Sequence, residues 1–249
     1  MSIKYIGQEA AGKLVESTAD RHKEKNFIIN GTGFANHLRD TGNIGYATAA
    51  VILEKHPELA GEVDADHQRV AGCFHDYTKI IEGSALHEIG TAYFILTEGE
   101  KHGLVSGGTY KERQTALRSI ASLIPPDYAL FEELGGSNYP TGSPHSPEKL
   151  AQFEKRLSWL RQELSTTDQP LSIEEFALPL TLAQQIALYA DLTNVRGEVV
   201  SMAARLDDIV ERYQPGTRFH EQNPIFADVT EQLKPRALKI EETIKGLMA

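Results

Sequence analysis

The stretch from Val70 to Lys79 reads VAGCFHDYTK, and the interpretation of the whole chain depends on it. It begins as an apolar run of the kind found in protein cores, and it then places His75 directly before Asp76. Burying an imidazole or a carboxylate without a partner is costly, so a buried helix that carries both needs a compensating group. The sequence therefore predicts that a partner for this pair lies elsewhere in the chain.

Helical patterns dominate the chain around this stretch, and no segment alternates convincingly with a period of two residues. The segment 41–57 has helical spacing and ends at a proline. Asp64 or Asp66 can cap the helix that includes the His-Asp pair. A glycine-rich turn at 31–33 precedes His37, which we expect near the start of a helix.

Capping boxes, in which Ser or Thr is followed three residues later by Glu or Gln, occur at Thr109 and Thr181. The second one opens the strongest periodic segment, whose apolar stripe continues to Tyr213 as one helix, or as two with a break near Gly197. A last helical region follows position 223, and Pro235 is expected to kink or split it. These signals predict an all-α fold, a single-domain helical bundle.

Composition sets limits on function. The chain has 249 residues, 41% of them hydrophobic and 24% charged, as in an ordinary globular protein. Its net charge of −10 argues against a general affinity for nucleic acid or for an anionic membrane. This argument concerns the whole chain and does not exclude a local basic pocket. Cys73 is its single cysteine, and no apolar run approaches the about 20 residues that span a bilayer. We expect a cytoplasmic location.

Two further residues resemble the His-Asp pair in context. His37 lies in FANHLRD, and Asp191 lies in IALYADLTN, where it interrupts the apolar stripe of the strongest helix. An unpaired carboxylate on such a face is expensive, so Asp191 needs a metal ion or a buried arginine as a partner.

The ordered pattern His … His-Asp … Asp, on helices, resembles the HD-domain superfamily of metal-dependent phosphohydrolases. The form HDxxK, which includes Lys79, is similar to many members, and LHEIGTAYFIL resembles a segment in which several members carry a further histidine, here His87. The resemblance extends over most of the chain. The residues that match the metal-binding pattern are His37, His75, Asp76 and Asp191.

The resemblance implies that these four residues bind one divalent transition metal ion: Mn, Fe, Co, Ni or Zn. It implies a single HD-type domain over 1–249, with a metal-binding core at about 31–213 and a C-terminal helical extension at about 223–249. The implied reaction is hydrolysis of a small phosphorylated molecule, with a nucleotide as the expected class, by a metal-bound water. Asp76 or Asp191 would orient that water, and Lys79 and His87 would stabilise the phosphate.

One departure from the family pattern keeps alternatives open. Dinuclear members usually supply another histidine before the final aspartate, and LRSIASLIPP offers none at the expected place, so one metal is favoured over two. A non-catalytic nucleotide-binding or regulatory module fits this departure, and an iron oxygenase on the same scaffold is a third hypothesis. The oligomeric state is left open.

Most of these residues also have a purely structural interpretation. Asp191 could pair with Arg196 or Arg205, Lys79 with a nearby carboxylate, and His87 could lie in solvent at a helix terminus. For several other residues the structural interpretation is the favoured one: Lys111, Arg113, Arg118 and Arg196 as a solvated surface, and Cys73 as a small buried apolar residue.

Overall fold

The computed structural model describes residues 2–22, 31–82, 87–124, 147–164, 181–217, 220–221 and 226–249. In these ranges the chain is predominantly helical, which confirms the all-α prediction. The segment at 135–147, which is rich in turn residues, lies almost entirely outside the described residues. The helices are α1 (Gln8–Arg21), α2 (Gly31–Lys55), α3 (Ala65–Phe74), α4 (Tyr77–Glu82), α5 (His87–Glu98), α6 (Tyr110–Ala121), α7 (Pro147–Leu164), α8 (Leu182–Thr193), α9 (Met202–Arg212) and α10 (Phe226–Met248).

In the part of the chain that the structure describes, two short antiparallel ribbons accompany the helices. β1 (Ile3–Tyr5) pairs with β2 (Val105–Gly107), and β3 (Asn194–Val195) pairs with β4 (Glu198–Val199). Strands of two or three residues are too short for an alternating pattern, which explains why the sequence did not predict them.

Three of the predicted helix caps are confirmed, whereas the helix expected from Thr41 begins ten residues earlier, at Gly31. Asp64 caps α3 by accepting a hydrogen bond from the backbone N–H of His67. Complete capping boxes at Thr109 and Thr181 begin α6 and α8. Each cap satisfies N–H groups that the first turn of a helix leaves unpaired.

The expectation of a glycine-rich turn before His37 was wrong. α2 begins at Gly31 and continues without interruption to Lys55, so the glycines belong to its first turn and His37 to its second. Glycine costs a helix only about 1 kcal/mol, and no proline interrupts this segment, so packing along the whole helix outweighs the local preference.

The strongest periodic segment forms two helices and not one. α8 ends at Thr193, the ribbon β3–β4 turns at Arg196 and Gly197, and α9 begins at Met202. Both turn residues have positive φ, 56° and 86°, as a two-residue hairpin of this kind requires. At the C-terminus, α10 runs through Pro235 as one helix and packs on α9, α8 and α2.

Within the described ranges, the core consists of two clusters that share α2. Its N-terminal half contributes Ala35 and Leu38 to the first cluster, together with residues of α1 and α3–α7. Its C-terminal half contributes Ala49 and Ile52 to the second cluster, together with α8, α9 and α10. No helix among the described residues has the length and apolarity to cross a membrane.

The closest helix crossing positions the residues of interest. α2 packs most extensively on α3, and the two helices meet at Gly42 and Gly72. A Cβ added to Gly72 would lie 2.7 Å from the Cα of Gly42, so only glycine allows this approach. His37 lies five residues before the crossing on α2, and His75 lies three residues after it at the end of α3.

Candidate metal centre

His75 occupies the C-terminal cap of α3, and its side chain is only 8% exposed. Its Nδ1 lies 2.7 Å from the backbone carbonyl oxygen of Gly72, to which it donates a hydrogen bond. A carbonyl cannot donate, so Nδ1 carries a proton, and in the neutral ring Nε2 carries the lone pair that a metal ion would use. This hydrogen bond orients the ring, as backbone carbonyls that accept from the other ring nitrogen do for metal-binding histidines.

Nε2 of His75 is surrounded by acceptors and has no hydrogen-bond partner among the described residues. It lies 3.2 Å from Oδ1 of Asp191 and 3.6 Å from Oδ2 of Asp76. Buried polar atoms without a partner are rare in native proteins. A cation shared with the adjacent carboxylates would satisfy this nitrogen.

Asp76 is the next residue, and each of its two carboxylate oxygens contacts a different basic side chain. Its Oδ1 lies 2.6 Å from Nε2 of His87, and its Oδ2 accepts a 2.5 Å hydrogen bond from Nζ of Lys79. Burial opposes its ionisation, but Lys79, His75 and His87 outweigh burial and hold its pKa well below the usual range. The group is therefore an anion at neutral pH.

His37 and Asp191 complete the cluster from α2 and α8. Oδ1 of Asp191 lies 3.4 Å from Nε2 of His37 and 3.2 Å from Nε2 of His75. Burial would raise the pKa of Asp191, but the two imidazoles lower it. Its contacts are these histidines, while Arg205 pairs with Asp208 and Arg196 is exposed. The structure thus gives no support to a pairing of Asp191 with either arginine.

The electrostatics of His75 follow from these neighbours. Burial lowers the pKa of an imidazole, but the carboxylates of Asp76 and Asp191 outweigh it and raise the pKa of His75 to about 9 in the metal-free protein. A divalent cation would replace that proton, because both are positive charges between the same two carboxylates.

The donor atoms fit a metal ion. His37, His75 and Asp76 each offer one ligand atom, and these atoms all lie within 4.8 Å of one another. Asp191 is not part of that mutually close set, but it touches both of its histidines. Mixed imidazole and carboxylate donors suit a first-row transition metal, and the buried, unpartnered nitrogen of His75 is consistent with one.

Lys79 and His87 lie beside this cluster and not in bulk solvent. The side chain of His87 is 10% exposed, and that of Lys79 is 28% exposed. The backbone carbonyl of His87 accepts a hydrogen bond from the hydroxyl of Thr78, which ties the start of α5 to α4. Both side chains reach Asp76, so the HDxxK segment and α5 meet at one carboxylate.

The other basic residues considered from the sequence, together with His102 and Cys73, are not part of this cluster. Arg113 pairs with Glu100 and donates to the carbonyls of Gly107 and Gly108, and Arg118 pairs with Glu163, so both have structural partners. The His102 ring packs against Phe94 in the turn after α5. Lys111 is exposed. Cys73 is buried beside the glycine crossing, as expected of a small core residue.

Sequence reasoning missed Asn194, which is 1% exposed and contacts His37. In the local sequence, Asn194 is distinguished only as an amide residue three positions after Asp191, directly after a helix with a buried face. That position marks the end of the helix, and such a signal does not distinguish a capping residue from one that contacts a site.

Comparison with models of known protein families, with curated proteins and with solved structures found no match. The helical architecture and the histidine and aspartate cluster are compatible with an HD-type domain. The similarity to that superfamily therefore remains an inference from the residues named above.

Proposed function

We propose that this protein is a metal-dependent phosphohydrolase of HD type that acts on a small phosphorylated molecule, with a nucleotide as the expected class. The observation that carries the proposal is the convergence of His37, His75 and Asp76 around a buried imidazole nitrogen that has no hydrogen-bond partner among the described residues. Asp191 adds a second carboxylate against both histidines.

His37, His75, Asp76 and Asp191 would hold the metal. A bound divalent ion supplies an acidified water and polarises a phosphoryl oxygen. The carboxylates hold negative charge at neutral pH, since the pKa values of both are lowered. The backbone carbonyl of Gly72 keeps the lone pair of His75 directed toward them.

Lys79 and His87 give this site its preference for phosphate. Both side chains contact Asp76, and Lys79 is partly exposed, so a substrate anion can approach its ammonium group. His87 lies within hydrogen-bond distance of an acidic group and can donate a proton to a leaving oxygen. The expected nucleotide rests on the family resemblance alone.

The first test is elemental analysis of protein purified without added metal or chelator, followed by reconstitution. We expect close to one equivalent of a transition metal in the wild type and its loss in a His75→Ala/Asp76→Ala variant. The matched control is His56→Ala/Glu58→Ala, which removes a histidine–carboxylate pair at 3.3 Å on the exposed surface. This control should keep its metal.

Activity is tested separately with nucleoside mono-, di- and triphosphates and with small phosphate esters. Phosphate release that requires the metal and disappears in the double variant supports the proposal. A wild type that holds metal and binds nucleotide tightly without turnover favours the regulatory alternative. A wild type that takes up no metal even after reconstitution refutes the enzymatic proposal.

A further inference from the structure

Two buried threonines, Thr78 on α4 and Thr91 on α5, join the beginnings of these helices. Oγ1 of Thr78 lies 2.6 Å from the backbone carbonyl oxygen of His87 and 3.0 Å from Oγ1 of Thr91. The backbone nitrogen of Thr78 lies 3.3 Å from the same Oγ1 of Thr91. The two threonines are 3% and 0% exposed, so these contacts exclude bulk water.

Each hydroxyl has a single proton, and this determines the direction of every hydrogen bond in the threonine network. A carbonyl oxygen only accepts, so the hydroxyl of Thr78 donates to His87. The hydroxyl of Thr91 must then donate to Oγ1 of Thr78, while it accepts from the backbone N–H of Thr78. All three donors therefore have acceptors. A buried network that is satisfied in this way favours one arrangement of the two helices.

The threonine network lies directly behind the contact between His87 and Asp76. It begins two residues after Asp76, and it ends on the backbone of His87 itself. Nε2 of His87 lies 2.6 Å from Oδ1 of Asp76, and an ionised carboxylate only accepts, so Nε2 donates its proton. The two threonines therefore hold the backbone from which the imidazole reaches the carboxylate.

We propose that Thr78, together with Thr91, is a positioning residue that holds the imidazole of His87 on Asp76. This inference rests on the proposed function, in which His87 donates a proton to the leaving oxygen, and extends it to a pair of buried hydroxyls. Outer groups that orient the residues of a metal site typically contribute about 10-fold to 100-fold to activity.

The first measurement reports the position of the His87 ring and does not require activity. Chelator-treated protein that carries ¹⁵N-labelled histidine is examined by NMR, and the ring N–H signal of His87 is assigned by its absence from His87→Gln. We expect the wild type to show this proton as a downfield, slowly exchanging signal. Thr78→Val, which keeps the shape of the side chain and removes the hydroxyl, should shift or abolish the signal. Thr78→Ser, which keeps the hydroxyl, should restore it.

The second measurement is steady-state phosphate release by metal-saturated protein. We expect Thr78→Val to lower kcat by about 10-fold to 100-fold, and Thr78→Ser to recover most of this loss. In a His87→Gln background, Thr78→Val should lower kcat no further, because the group that Thr78 positions is already absent. This double-mutant cycle separates an effect that passes through His87 from an independent one.

Thr18→Val controls for a general loosening of α4. Thr18 on α1 is 2% exposed, and its Oγ1 lies 2.9 Å from the hydroxyl of Tyr77, the residue before Thr78. The same substitution thus removes a buried hydroxyl that contacts α4 but not His87. It should lower the melting temperature and leave the N–H signal and kcat unchanged. If Thr78→Val fails to fold, Thr91→Val breaks the same network from α5 and provides the same comparison.

The inference is overturned by an unchanged His87 N–H signal in Thr78→Val, or by an equal change in Thr18→Val at the same loss of melting temperature. A wild type without a protected His87 ring N–H also overturns it, as does a further loss of kcat when Thr78→Val is added to His87→Gln. A wild type that hydrolyses no phosphate refutes the proposed function. The N–H signal then decides the role of Thr78 by itself, and its loss in Thr78→Val with recovery in Thr78→Ser supports the inference.

Discussion

Gly72 on α3 lies so close to Gly42 on α2 that a Cβ added to Gly72 would be 2.7 Å from both the Cα and the backbone nitrogen of Gly42. This contact brings the His37 and His75 rings to a centroid distance of 5.4 Å. The two glycines therefore set the distance between two imidazoles that are candidate metal ligands.

Gly72→Ala is therefore expected to destabilise the protein by about 1–3 kcal/mol and to weaken metal binding, because the helices must separate. Urea unfolding and metal titration check this. The matched control is Gly12→Ala in α1, where an added Cβ meets nothing within 4 Å. That variant should be about 0.5–1 kcal/mol more stable than the wild type, since alanine favours the helix. Equal stability of the two variants would contradict the close crossing.

Asp191→Asn keeps the shape of the side chain and removes its charge. We expect it to lose at least about 10-fold in metal affinity, because the carboxylate that touches both imidazoles becomes a neutral amide. Isothermal titration with Zn²⁺ or Mn²⁺ measures the change. Asp208→Asn, which alters an aspartate in surface pairs with Arg205 and Arg212, serves as the control and should bind normally. Unchanged affinity in Asp191→Asn would remove it from the ligand set.

His87→Gln is expected to separate catalysis from metal binding. If His87 acts as a proton donor, its loss should lower kcat for phosphate release by about 100-fold or more while the metal content stays the same. Steady-state kinetics and elemental analysis of the same preparation provide the two values. His102→Gln, at a histidine that packs on Phe94 in the turn after α5, should leave both values unchanged. Full activity in His87→Gln would leave the histidine with a structural role only.

The stability of the metal-free protein should depend on His75. The folded-state pKa of His75 is raised to about 9, above its ordinary value of about 6.5. The protonated ring therefore stabilises the fold fully below about pH 6.5, and this contribution disappears as the pH rises through about 9. Urea unfolding of chelator-treated protein from pH 6 to 9.5 should show the decline. His75→Gln should flatten it, and an identical slope in the variant would contradict the assignment.

Cys73 is expected to be unreactive while the protein is folded. Burial raises the pKa of its thiol to about 12, and the side chain is 1% exposed, so almost no accessible thiolate exists at pH 8. A chromogenic disulfide reagent should label the thiol within minutes in denaturing urea and very slowly without urea. Since the chain has one cysteine, the labelling rate reports the opening of the α2–α3 contact directly. Rapid labelling of the native protein would show that this contact opens readily.

The amino-acid sequence by itself determined the features that depend on neighbouring residues. Caps at Asp64, Thr109 and Thr181 begin their helices as predicted, because a capping side chain acts within a single turn. The chemical cost of burying His75 beside Asp76 was also evident from the sequence, and it correctly required partners from elsewhere in the chain.

Only the tertiary structure decided which distant residues meet. The length of α2, the glycine crossing and the contact of Asn194 with His37 depend on helices separated by as many as 157 residues, and no local pattern encodes that distance. Propensity favoured a turn at Gly31, but packing along α2 overrode it. Local hydrogen bonds therefore fixed where several helices begin, whereas the close packing of glycines and the hairpin after α8 fixed how the imidazoles and carboxylates converge.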